Sequence, residues 1–218
     1  MIRFEDVTGD CGTSVSFEIG EGVACNLVTA SDCEEGAFLE TILAMKPPSS
    51  GRVFVLEEDV YSLPEQELLD LYRKVGVAWR DGGLISNLKV WENIVLPVRY
   101  HLGKQPSEVE DRVVDLFRQL GIEVTPGYLG ALPGVLTPSE RSLVGLVREM
   151  VMDPPLMIYD GLYEGLHPET AGRLVELAAT FHAARPDRTS IFIGSNEASM
   201  ARVAADITIR AAGKRLHV

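Results

Sequence analysis

Positive charge is in short supply: 20 Lys and Arg stand against 32 Asp and Glu, a net charge of −12 at pH 7. That balance argues against a broad electrostatic footprint for nucleic acid or for an anionic membrane surface. No run approaches the roughly 18 apolar residues of a membrane-crossing helix, and the start Met1-Ile2-Arg3-Phe4-Glu5 has no signal-peptide layout. The expectation is a cytoplasmic protein without direct membrane insertion. Cys11, Cys25 and Cys33 are odd in number and lack metal-ligand spacing, so they read as reduced thiols. The four histidines, His101, His167, His182 and His217, are scattered with no metal pattern, and no metal is expected. Internal repeats and low-complexity linkers are absent. What is there is a chain of 218 residues, 46% apolar and 24% charged, the composition of a soluble globular protein with enough length for one sizeable core and a subdomain.

The stretch Val28 to Leu43, VTASDCEEGAFLETIL, joins an apolar strand directly to an amphipathic helix. In an α/β protein a phosphate is usually held at such a junction, by a loop G-x-x-x-x-G-K-[ST] whose glycines let amides curl around the anion and whose Lys neutralises it. Here Glu35 stands at the Lys position and Gly36 in place of the hydroxyl. Ser31 and Glu34 have the spacing of a capping box, and acids in the first turn, Asp32 among them, suit the positive end of the helix dipole. The turn is expected to offer its own carboxylates to amides that would otherwise hold phosphate.

In chain order, IRFEDV, SVSFEI and VACNLV read as strands. Residues 34 to 46 read as a helix stopped by Pro47-Pro48, RVFVL as a strand, residues 64 to 74 as a helix, and 75 to 79 as a buried strand. Residues 84 to 120 carry two helical patterns. The second is expected to open at Ser107, with Glu110 three places on, and to close at Gly121. Pro126 to Gly134 read as a loop, and Thr137 with Glu140 caps a helix that ends near Met152. Strand LMIYD, helix PETAGRLVELAATFHAA, strand TSIFIG, helix NEASMARVAA and strands DITIR and KRLHV finish the chain. Strands alternating with helices imply an α/β fold with a mostly parallel sheet, interrupted by a helical insertion.

This order of elements resembles the ATP-binding subunit of an ATP-binding cassette (ABC) transporter over essentially the whole chain. FLETILAMKPPSSGRV is similar to the helix and turn after a Walker A loop. VGVAWRDGGLISNLKVWENIVLPVR is similar to the Q-loop and the helices that meet the permease. LTPSERSLVGLVREMVMDPPLMIYDGLYEGLHPETAGRLVEL is similar to signature helix, Walker B strand and D-loop in register, and SIFIGSNEASMARVAADI to the H-loop strand and its helix. The segment from Gly82 to Arg99 is most like subunits of Mla-type lipid transporters. The resemblance implies a P-loop NTPase-like cassette with N-terminal antiparallel strands. It makes 1–218 a single domain, with a core of 1–80 and 155–218 and a helical subdomain at 81–154.

At the positions where the family does its chemistry the residues differ. The Walker A Lys is Glu35, the Q-loop Gln is Arg80, and the signature LSGGQ reads Leu136-Thr137-Pro138-Ser139-Glu140. The catalytic Glu is Gly161, the D-loop Asp is His167, and the switch His is Asn196, while the Walker B aspartate is kept as Asp160. Cys11 falls near the place of the adenine-stacking aromatic. Asp160 is read either as a holder of a Mg²⁺-bound water or as a turn cap, Arg80-Asp81 as an ion pair or a vestigial hinge, and His167 as a helix cap or a surface residue.

The resemblance therefore implies an ABC-type subunit with Ser31, Asp32, Glu34, Glu35, Gly36, Arg80, Thr137, Ser139, Glu140, Asp160, Gly161, His167 and Asn196 as vestigial site positions. No cofactor or catalytic residue is expected. Its partners would be an ABC permease, another ABC ATPase subunit or a second copy. The apolar stretch Leu84, Ile85, Leu88, Val90, Trp91 and Ile94 is either a docking patch for such a partner or part of the core. The competing expectation is a transport ATPase that binds MgATP through divergent loops, alone or with a partner subunit.

Overall fold

The computed structural model describes residues 1–9, 14–163, 165–196, 200–212 and 215–217. Cys11, the Asp32 side chain and positions 197–199 of the helix expected after Asn196 lie outside the described residues. The strands are β1 (Ile2–Thr8), β2 (Ser14–Ile19), β3 (Ala24–Thr29), β4 (Ser50–Val55), β5 (Glu58–Asp59), β6 (Val75–Ala78), β7 (Leu156–Asp160), β8 (Thr189–Gly194), β9 (Ile207–Ala212) and β10 (Arg215–His217). The α-helices are α1 (Asp32–Ile42), α2 (Glu65–Tyr72), α3 (Val90–Pro97), α4 (Glu110–Gln119), α5 (Pro126–Leu129), α6 (Pro138–Met152) and α7 (Pro168–Ala183). They fall into two compact units, one of Met1–Val75, Pro155–Ile158 and Arg185–Val218, the other of Gly76–Pro154 and Tyr159–Ala184.

In the first unit, β2, β1, β4 and β5 form an antiparallel sheet in that order. Its inward face follows from strict alternation: in β2, Val15, Phe17 and Ile19 are buried while Ser14, Ser16 and Glu18 are exposed. Phe4 stacks on Phe17 with ring centroids 4.6 Å apart, and Phe38 of α1 leans on both. A second sheet has β3 at its centre, parallel to β8 on one side and β9 on the other, with β10 antiparallel at the β9 edge. β3 and β8 are buried along their whole length, as strands covered on both faces require. Burial pushes the Cys25 thiol in β3 up to about 12, far from the reactive thiolate range. Two phenols serve the C-terminal end of α1: Tyr61 donates to the Thr41 carbonyl at 3.0 Å and Tyr72 to that of Leu43.

The second unit is mainly helical. α6 is its central helix, buried from Ser142 to Val147 and at Met150 and Val151, and it packs with α3 and α4, while α4 also meets α7. α7 buries Ala171, Leu174, Leu177, Ala178 and Phe181, a 3–4 spacing that makes one face.

Two expectations are corrected. The helix expected to start at Ser107 starts at Glu110, because Pro106–Glu108 form a 3-10 turn in which the Glu108 carboxylate accepts the Gln105 amide at 2.5 Å. The capping pair is Gln105 with Glu108, two residues earlier than the expected Ser107 with Glu110. The segment read as loop contains α5, capped by Thr125, whose hydroxyl accepts from the Tyr128 amide at 3.1 Å, and a 3-10 turn at Pro133–Val135. Proline at the first helical position suits both.

Candidate functional site

In the first unit the candidate site is the junction of β3 and α1. Ser31 has extended backbone (φ −160, ψ 160), and its side chain accepts the Glu34 amide at 3.3 Å. The Glu34 carboxylate takes the Ala30 amide at 2.9 Å, one residue before the amide a standard capping box would use. Thr29 Oγ1 donates to the Ser31 carbonyl at 3.2 Å, and the Glu35 amide donates to the same carbonyl at 3.0 Å. The amide of Ala30, on the approach to the helix, is thus taken by a side-chain carboxylate. Glu35 is only 2% exposed, so the acid at the Lys position is packed inward. Gly36 has nothing within 4 Å of where a Cβ would stand. Asn196 follows β8 in the same unit and is exposed, and its carbonyl accepts the Met200 amide at 3.0 Å.

The second unit brings Arg80, Asp160 and Gly161 together. Asp160 closes β7, and its Oδ2 accepts the Arg80 amide at 3.2 Å. A Cβ built on Gly161, which has φ +54, would fall onto the Arg80 guanidinium. The Arg80 side chain therefore covers the spot from which a side chain at 161 would project. Ser142 Oγ donates to the Arg80 carbonyl and, at 3.1 Å, to that of Pro138, tying this cluster to the first turns of α6. Asp81 turns its carboxylate to the Gly83 amide at 3.0 Å.

At the start of α6 Thr137 and Glu140 form a full capping box. The Glu140 amide donates to Thr137 Oγ1 at 3.2 Å, and Glu140 Oε2 accepts the Thr137 amide at 2.8 Å. Pro138 is the first helical residue and has no amide to offer, and Ser139 is half-buried beside it. His167 is exposed just before α7; its carbonyl takes the Ala171 amide at 2.9 Å while its side chain makes no cap bond.

The apolar stretch of the second unit divides. Val90 and Ile94 are fully buried and belong to the core, which narrows the expected docking patch. Ile85 is 43% exposed, and Leu84, Leu88 and Trp91 are half-buried. An open hollow of about 380 Å³ is lined by Trp91 together with Lys89, Glu92, Glu110, Leu129 and Gly130. Asn93, passed over in the sequence, organises this region. Buried at 1%, it accepts the Ile85 amide at 2.8 Å and donates to the carbonyls of Ile85, Leu88 and Lys89 at 3.1, 2.9 and 3.1 Å. One amide inside the apolar run VWENIVL was the available signal, since a buried polar group must be satisfied.

Among the described residues no group of three or more His, Cys, Asp or Glu could hold a metal ion, and no helix is long and apolar enough to cross a membrane.

No family model matches the chain. Curated relatives do. The probable ribonucleotide transport ATP-binding protein mkl of Mycobacterium leprae is 27% identical over 210 residues, covering 94% of this chain and 59% of mkl. The methionine import ATP-binding protein MetN of Caulobacter vibrioides is 26% identical over 186 residues, covering 82% of this chain and 55% of MetN. The chain thus spans about half the length of the curated relatives it matches. Among solved structures, the dimeric ATP-binding cassette MJ0796 bound to ADP and Pi superposes with a TM-score of 0.84 at 19% identity, covering 100% of this chain and 98% of that one. CbiO1 from Clostridium perfringens, part of the cbiONQ ABC transporter complex, gives 0.77 at 16% identity. The fold is that of an ATP-binding cassette. By sequence the chain is related to the ATP-binding subunits of ABC transporters.

Proposed function

We propose that this chain is a non-hydrolysing, structural or regulatory subunit of an ABC-type transporter assembly, of the lipid-transporting kind. In this reading it is one nucleotide-binding-like domain, with a core of 1–80 and 155–218 and a helical subdomain at 81–154. Its partner is an ABC permease, an intact ATPase subunit or a second copy. The observation that carries the proposal is Glu35, a carboxylate buried at 2% exposure where the family pattern has the phosphate-binding Lys. Two unit charges 4 Å apart interact by about 4 kcal/mol at an effective dielectric of 20. Exchanging the cation for a buried carboxylate therefore removes a favourable term of that order from any phosphate site here. The neighbouring Glu34 occupies the Ala30 amide, reinforcing the effect.

Supporting it from the second unit, Pro138 removes an amide from the signature turn, and Gly161 has no carboxylate with which to orient water. Hydrolysis needs such a group together with charge stabilisation around the transferred phosphoryl. The lipid assignment is supported by the likeness of Gly82 to Arg99 to Mla-type subunits. The partner surface is supported by exposed Ile85 and half-buried Leu84 and Leu88, and by half-buried Trp91, which lines the hollow. Val90 and Ile94 act from within, by holding that surface in place.

Phosphate release by the purified chain in MgATP tests the proposal. The expected rate is that of buffer alone, unchanged when Asp160 is replaced by Asn. Turnover above background that disappears in D160N would establish the ATPase reading instead.

A further inference from the structure

We infer that Arg148 is a latch that fixes the loop Arg80–Gly83 to α6, so that loop and helix behave as one body, and that Glu149 aims it. The loop is one that would be expected to move. Gly82 and Gly83 have φ of +84 and +53, and glycine backbone is the least restrained. Its carbonyls nevertheless find partners on α6. Arg148 Nη1 donates to the Gly83 carbonyl at 2.8 Å and Nη2 to that of Gly82 at 3.3 Å. Nε of the same guanidinium donates to Glu149 Oε1 at 2.8 Å, so the planar fork is held from behind by a carboxylate and presents its free edge to the loop.

Shape completes the fit. A Cβ on Gly145 would fall onto the Gly82 carbonyl, and one on Gly82 onto the Arg141 backbone. Loop and helix are therefore in backbone contact, which two glycines make possible. Ser142 adds a bond to the Arg80 carbonyl. Loop and helix thus converge on one ion pair, Arg148–Glu149, whose side chains are 13% and 17% exposed. Such an arrangement exceeds what burial of an apolar helix face requires, because Arg148 spends each of its three nitrogens on an oriented acceptor.

The loop leads directly into Leu84 and Ile85, and Asn93 binds that continuation to α3. A partner seated on Ile85 and Trp91 would then pull on α6 through Arg148 instead of flexing a hinge. The inference stands on contacts within the second unit and does not depend on whether nucleotide binds.

Amide hydrogen exchange on the intact protein tests it. In the wild type, a peptide covering 79–86 should be protected together with α6. In R148A its exchange should accelerate at least tenfold while peptides from β3 and α4 keep wild-type rates, with R148K, which keeps the charge without the fork, between the two. A merely structural role predicts a rise spread over the whole protein. That result, or wild-type exchange of 79–86 in R148K, or free-chain exchange of 79–86 in the wild type, would overturn the latch. Should R148A fail to fold, R148K and the wild type carry the test.

Discussion

The Arg80 guanidinium lies against Gly161 at the point where a side chain on residue 161 would begin. Arg80 and Gly161 are therefore one packing arrangement, in which a small residue makes room for a large one. Gly161 also has φ +54, a conformation costing L-residues roughly 1–2 kcal/mol. We expect G161A to lose about 1–2 kcal/mol in urea unfolding. Combined with R80A, which removes the obstructing group, the double variant should lose less than the sum by about 0.5 kcal/mol or more. Strict additivity would show that the two side chains are packed independently.

Thr137 is the N-cap of α6, the central helix of the second unit, and its hydroxyl accepts the Glu140 amide. T137A should cost about 1 kcal/mol, the usual loss for such a cap, read as a lowered urea midpoint with unchanged slope. T137S, which keeps the oxygen, should recover most of it.

Gly36 sits inside α1 with nothing within 4 Å of a would-be Cβ and a normal helical backbone. Since glycine costs about 1 kcal/mol relative to alanine in a helix interior, G36A should raise stability by roughly that amount. A loss instead would mean that the turn needs glycine for a reason outside its packing.

Burial pushes the Glu149 carboxyl above its ordinary value against the opposing pull of Arg148. A carboxyl raised in the folded state binds its proton more tightly there than in the unfolded chain. Its contribution to stability is therefore lost as pH rises from the unfolded value, about 4.3, through the folded one. Comparing E149Q with the wild type cancels the other titrating groups. The melting temperature of E149Q should gain on the wild type as pH rises from about 4.5 to 7; a difference that stays flat with pH would contradict the shift.

Much of the architecture could be read from periodicity. The alternation in SVSFEI, the unbroken apolar runs of the central strands and the 3–4 spacing in α7 each report one buried face, and the Thr137–Glu140 box depends on residues three apart. The start of α4 was misplaced because two carboxylates, Glu108 and Glu110, competed for the capping role, and the 3-10 turn satisfied an amide first. What stayed hidden was non-local. Arg80 against Gly161, Ser142 on the Arg80 carbonyl and Arg148 on the Gly82 and Gly83 carbonyls join residues 62 to 81 positions apart, and no pattern along the chain encodes which backbone oxygen a guanidinium will reach. Glu35 was conspicuous by its position alone; that it is buried needed the packing of α1.

The central claim is that a buried acid has replaced the phosphate-binding cation at the start of α1. Thermal unfolding in increasing MgATP tests it most directly, because any ligand that binds the folded state alone raises the melting temperature as its concentration passes Kd. The account predicts a melting temperature that stays constant through the millimolar range. An upward shift that saturates with MgATP, and that is lost when magnesium is removed, would contradict it.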